Sequence, residues 1–193
     1  PPLNVYLQDY IGKNIKENYF NLKIPNYKWD KRLNKIQEGI KLSTFIKNKP
    51  HYEQRDIANY CFEQIGENIF NQATKMMNKK DIISIKDYHD IGVHSFSHSN
   101  MAIETNDYFI KDLEFCSKWF LDNLNLKPYI YAFPNGSYKE QNLKIALKKG
   151  YKHLLLVDDN FSGIENNIHP RFNFHALTTK EMIFKATGSF TKL

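Results

Sequence analysis

His94 and His98 are the side chains in this sequence best placed to do chemistry. They stand four apart in the stretch IGVHSFSHSNM, residues 91–101. Four residues apart on a helical turn, two imidazoles project to one side and can share a divalent cation. Imidazole suits zinc, cobalt, nickel and iron, and a third ligand with an open water position would make such a site catalytic. The spacing fits two polar residues sharing a turn equally well, because seven histidines give chance pairs. A second stretch, YIYAFPNGSY at 129–138, closes an aromatic run with Pro134-Asn135-Gly136. Glycine there can take positive φ and bring backbone close to a ligand; an ordinary strand terminator reads the same way.

The elements that must position these residues follow from hydrophobic spacing. IGVHSF and YIYAF read as strands, each with its polar residues at the C-terminal end. Between them, TNDYFIKDLEFCSKWFLDNLNL is an amphipathic helix with Thr105 or Asn106 as N-cap and Phe109, Leu113, Phe115, Cys116, Phe120 and Leu124 inward. KEQNLKIALKKG is a helix closed by Gly150, YKHLLLVD a buried strand, and PRFNF a short further one. Strand, helix, strand, helix, strand predicts a mostly parallel sheet with helices outside, either open or closed as a (β/α) barrel. Sites in such folds gather at the C-terminal ends of strands.

Upstream, residues 3–7 (LNVYL) form a strand-like run. Residues 12–80 are polar and helical in pattern. Trp29, Leu33, Ile36 and Ile40 mark one core-facing stripe, and Ile57, Tyr60, Cys61, Ile65 and Phe70 a second. Neither stripe carries chemistry.

A length of 193 residues suits one domain with a real core. Hydrophobic content of 41% excludes disorder, and no stretch has the uninterrupted apolar length of a membrane span. The formal charge of +6 comes from lysines scattered among acids, not from a dense basic stripe, so nucleic acid is not an expected partner. Cys61 and Cys116 lie far apart without a CxxC pair and read as buried thiols. The opening PPLNVYLQDY shows no initiator Met, h-region or cleavage site, and leaves the compartment open.

Taken in order, IGVHSFSH, an amphipathic helix, YAFPNGSY, a helix ending in Gly and GYKHLLL resemble the polysaccharide deacetylase (NodB-homology) family from residue 82 to about 175. The family's H-[ST]-x-x-H metal motif is matched by His94, Ser95, Phe96, Ser97 and His98. Its aromatic-Ala-aromatic-Pro-x-Gly strand end is matched by Tyr131 to Gly136. The resemblance implies a distorted or incomplete (β/α) barrel across a single domain, 1–193, with 12–80 as a helical N-terminal insertion and 81–193 bearing the motifs. It implies hydrolysis of acetyl groups, N-acetyl above all, on a carbohydrate substrate. A divalent metal, zinc first, would be held by an Asp together with His94 and His98. Tyr131, Phe133, Pro134, Asn135 and Gly136 would line the substrate and oxyanion side. A second Asp would act as base, and a late His would protonate the leaving amine.

The sequence departs from the family in its acids. The family's first strand ends in T-F-D-D, and no such strand precedes His94. PPLNVYL resembles the family's second strand instead, so the expectation is a chain that begins after the acid pair. Asp158-Asp159, after LLLV, is a replacement pair with Asp159 as its catalytic member; Asp9 is a weaker substitute. The family's late Leu-x-His is also missing. NNIHPRFNFHALTT offers His169, Arg171 and His175, with His175 as leaving-group acid and Arg171 as orienting or substrate-binding group. Two other readings stand beside the deacetylase. One is an inactive relative serving as a carbohydrate-binding or structural module. The other is a basic α/β domain for acidic glycans or nucleic acid, marked by salt-dependent binding without metal dependence. Glycan identity and oligomeric state are not legible.

Overall fold

The computed structural model describes residues 3–13, 21–66, 76–157, 167–171 and 177–187. The chain divides into two units, Pro1–Ser84 and Ile85–Leu193.

The first unit is helical among its described residues. Residues 3–7 are not a strand but the start of α1, Leu3–Lys13. Asn4, Leu7, Tyr10 and Ile11 are buried at helical spacing, a period that five residues are too few to reveal. α1 packs on α2, Lys35–Lys47, where Gly39 admits it: a Cβ there would lie 3.1 Å from the Gln8 carbonyl oxygen. Asn34 caps α2 in a capping box with Gln37.

The expected stripe on α2 is out of phase. Ile36 and Ile40 are 65% and 51% exposed, and Glu38, Leu42, Ser43 and Ile46 face inward. Burial of Glu38 is tolerable because its carboxylate accepts from Tyr27 Oη at 2.6 Å and Asp30 N at 3.3 Å, and pairs with Lys41 at 3.3 Å. α3, His51–Ile65, turns Ile57 and Cys61 inward as expected, leaves Tyr60 exposed, and stops at Gly66. Phe70 lies outside the described residues.

In the second unit, which follows α4 (Lys79–Ile85), the expected strand IGVHSF shrinks to a single parallel bridge between Val93 and Tyr131. The backbone leaves extended geometry at once, because Ser95 has φ 64°. α5, Asn106–Leu124, is capped by Thr105, whose hydroxyl accepts from Tyr108 N at 3.1 Å. Phe109, Leu113, Cys116, Phe120 and Leu124 are buried as expected; Phe115 is not, and its ring meets that of Phe96 at 5.6 Å.

β1 (Ile130–Ala132), β2 (His153–Leu155) and β3 (Ile168–His169) form a parallel sheet in the order β1-β2-β3. β3 lies just before the expected PRFNF, of which residues 172–174 are outside the described set. α6, Glu140–Lys148, connects β1 to β2, and Gly150 at φ 95° closes it as its position predicts. A last helix, α7 (Thr179–Ala186), had no sequence expectation and is capped by Thr178.

The fold is thus mixed α/β, mostly helical, with a small parallel sheet. Tyr131 and Leu154, fully buried, fill the core side of that sheet with Phe109, Phe133 and Tyr151. Among the described residues no helix is long and apolar enough to cross a membrane.

Candidate metal and active site

The register sets the site's floor. Val93 pairs with Tyr131, Tyr131 with Leu154, and Leu154 with Ile168. One residue further on, His94, Ala132, Leu155 and His169 share the next row, on the sheet face turned away from Tyr131. His94 and Ala132 are adjacent across the ladder, and His94 Nδ1 lies 2.8 Å from the Ala132 carbonyl oxygen. A carbonyl can only accept, so Nδ1 carries the proton and Nε2 keeps its lone pair. The tautomer of His94 is thereby fixed in the form a metal needs.

His98 reaches the same place by a different route from the expected helical turn. Ser95 and His98 both hold positive φ, 64° and 55°. This folds residues 94–98 into a tight loop, with the two imidazole centroids 4.9 Å apart at 74°. His94 is exposed and His98 half-buried. The donor set fits a borderline divalent ion: two imidazoles edge to face at 4.9 Å, one of them with its tautomer set by backbone. Among the described residues no third His, Cys, Asp or Glu completes the group.

Asp112 of α5 is the site residue that sequence reasoning missed. Its carboxylate is 4% exposed and accepts from Ser95 Oγ at 3.0 Å, Phe96 N at 3.1 Å, Ser97 Oγ at 3.1 Å and Ser97 N at 3.3 Å. One turn earlier, Tyr108 Oη lies 2.6 Å from Ser97 Oγ and 2.9 Å from Ser99 Oγ. Burial pushes the Tyr108 phenol up, against the pull of its two serine bonds. The signal was available: Asp112 falls between Phe109 and Cys116 on the buried stripe of its helix.

The Pro134 turn stands beside this loop through Ala132. Pro134–Gly136 form a short 3₁₀ turn with Asn135 at φ 56° and Gly136 at φ 67°. Gly136 also meets a close approach, since a Cβ would lie 2.7 Å from Val157 Cβ. The side chains of Tyr131 and Phe133 are fully buried among aromatic rings, so only their backbone can face a substrate. The N–H groups of Phe133, Gly136 and Ser137 are committed to carbonyls, while that of Asn135 has no partner among the described residues.

The other expected site residues that are described take different partners. Arg171 donates from Nε to the Leu156 carbonyl at 2.9 Å, at the end of β2. His169 sits three strands from His94, about 14 Å across the sheet at ordinary strand spacing. There it shares a 2.9 Å hydrogen bond with His153. Asp9 belongs to α1 of the first unit. Asp158, Asp159 and His175 lie outside the described residues.

The histidine pair and the Pro134 turn thus meet at one end of a parallel sheet, and comparison with known proteins gives the family. The polysaccharide deacetylase family model matches residues 53–154, more than half of the chain, and the chain belongs to that family. The matched span begins earlier and ends earlier than the motifs suggested. It contains His94, His98 and Tyr131–Gly136 but neither Asp159, Arg171 nor His175. No curated protein matches the chain.

The chain is also similar to solved structures, among them two bacterial enzymes. One is a de-N-acetylase from Aggregatibacter actinomycetemcomitans, at 13% identity and TM-score 0.49, covering 56% of this chain and 52% of that one. The other is the Streptococcus pyogenes deacetylase PplD in complex with acetate, at 15% identity and TM-score 0.49, covering 67% of this chain and 63% of that one. The chain therefore spans between half and two-thirds of their length.

Proposed function

We propose that this chain is a metal-dependent carbohydrate deacetylase, built as one domain on an incomplete (β/α) barrel, that hydrolyses N-acetyl groups of amino-sugar glycans. The observation that carries the reading is the His94–His98 pair, with His94 Nδ1 donated to Ala132 and Nε2 left for a cation. A divalent ion, zinc first, would supply Lewis-acid polarisation of the acetyl carbonyl and activation of water.

The chain's own groups divide the remaining work. The Asn135 N–H, without a partner among the described residues, is the proposed donor to a developing oxyanion. Arg171, held through Nε at the end of β2, presents the rest of its guanidinium to a carboxylate or a sugar hydroxyl. Hydrolysis breaks the C–N bond and needs a base for water and an acid for the leaving nitrogen. Asp159 and His175 are the proposed base and acid.

The test is acetate release from N-acetylglucosamine oligomers, measured before chelation, after chelation, and after zinc is restored. Release that disappears and returns supports the reading. Sugar binding without release in every arm would replace it with a non-catalytic carbohydrate-binding module.

A further inference from the structure

We infer that Asp112 is a positioning residue for the histidine pair, holding His94 and His98 at metal-binding separation from the helix behind them; this rests on the reading of the two imidazoles as metal ligands. Three residues separate the histidines, and Asp112 takes donors from all three. Ser95 and Ser97 give hydroxyls, and Phe96 and Ser97 give backbone N–H groups. Its second oxygen accepts from Phe96 N at 3.2 Å and faces Cys116 Sγ at 3.9 Å.

The loop needs such an anchor. Ser95 and His98 occupy the left-handed region that side chains disfavour, so the loop holds only where surrounding contacts determine it. Hydrogen bonds to an ionised carboxylate are about twice as strong as neutral ones, and offset that cost. Tyr108 adds a second grip, bonding Ser97 and Ser99 on either side of His98. Tyr108, Asp112 and Cys116 lie four apart, so one stripe of α5 is given over to this loop.

Asp112 is also a buried carboxylate with no cation beside it among the described residues. Among the described residues no Lys, Arg or His pairs with it, and only neutral donors surround it. A divalent ion held by the two imidazoles would bring positive charge to the loop that Asp112 holds, and the carboxylate would favour that cation as well as the shape that receives it.

The experiment compares the full chain with Asp112→Asn and Asp112→Ala by zinc titration, by the visible spectrum of the cobalt form, and by ring-to-ring NOEs between His94 and His98 without metal. Asp112→Asn keeps the shape and an acceptor but removes the charge, and zinc affinity falls about 10- to 100-fold with an altered cobalt spectrum. Asp112→Ala also loses the NOE. Wild-type affinity, spectrum and NOE in both variants overturn the inference. If Asp112→Ala does not fold, Ser95→Ala with Ser97→Ala removes the hydroxyl donors from the other side. Weakened zinc binding then supports the inference, and unchanged binding overturns it. If the wild-type chain itself binds no zinc, the metal reading falls separately. The NOE alone then decides: its loss on substitution supports positioning, and its survival refutes it.

Discussion

His94 Nδ1 and the Ala132 carbonyl oxygen, 2.8 Å apart, join the histidine loop to the strand that leads into the Pro134 turn. Two stretches nearly forty residues apart in sequence thereby share one site. The bond requires Nδ1 to carry the proton. Nitrogen-15 NMR at a pH where the imidazole is neutral should show His94 protonated at Nδ1 and bare at Nε2. The opposite tautomer would leave no lone pair at Nε2 for a cation.

The Pro134 turn depends on Gly136 for two separable reasons. Positive φ disfavours a side chain, and a Cβ would collide with Val157 at 2.7 Å. Gly136→Ala should destabilise the fold by about 2–4 kcal/mol in denaturant titration. Val157→Gly removes the Val157 Cβ and leaves only the Cα, at 3.6 Å, so it should recover the collision part but not the φ part. Simple additivity of the two substitutions would show that the contact is not made.

Alkali should unfold this protein through its buried phenols. Burial pushes the Tyr151 hydroxyl up to about 12, and that of Tyr131 well above the ordinary tyrosine range. Their folded values exceed the unfolded ones. The contribution is therefore whole below pH about 10, and is lost as pH rises toward the folded values while the unfolded chain releases protons the folded chain retains. Tyr151→Phe removes one such proton and should flatten the decline of stability between pH about 10 and 12. An unchanged slope would mean the phenol already ionises in the folded chain.

Glu38 organises the first unit through polar contacts rather than apolar area. Glu38→Ala leaves Tyr27 Oη and Asp30 N without their acceptor, whereas Lys41, 39% exposed, can return to water. The expected cost is about 2–3 kcal/mol, read as faster amide exchange along α2, with a smaller loss for Glu38→Gln. Exchange at the wild-type rate in Glu38→Ala would show that the buried carboxylate is dispensable.

What was legible in the sequence follows from how many residues share one period. α5 and α6 span several turns with consistent apolar stripes and explicit terminators, and β1 and β2 are bounded by Pro134 and Gly150; all four lie where expected. Residues 3–7 misled because alternation and helical spacing coincide over so short a run. The α2 stripe misled because its inward face is carried by Glu38 and Ser43, polar residues whose partners lie elsewhere in the chain. For the site, residue types located both motifs. Ser95 and His98 gave no sign of their left-handed backbone, and Asp112 reads as a surface charge until its place on the buried stripe is noticed.

The central claim is that His94 and His98 are two ligands of one metal ion. Zinc stoichiometry after equilibrium dialysis, in the wild-type chain and in His94→Ala/His98→Ala, tests it most directly. The account predicts one equivalent in the wild type and none above background in the double variant. Stoichiometric zinc retained by the double variant would contradict it.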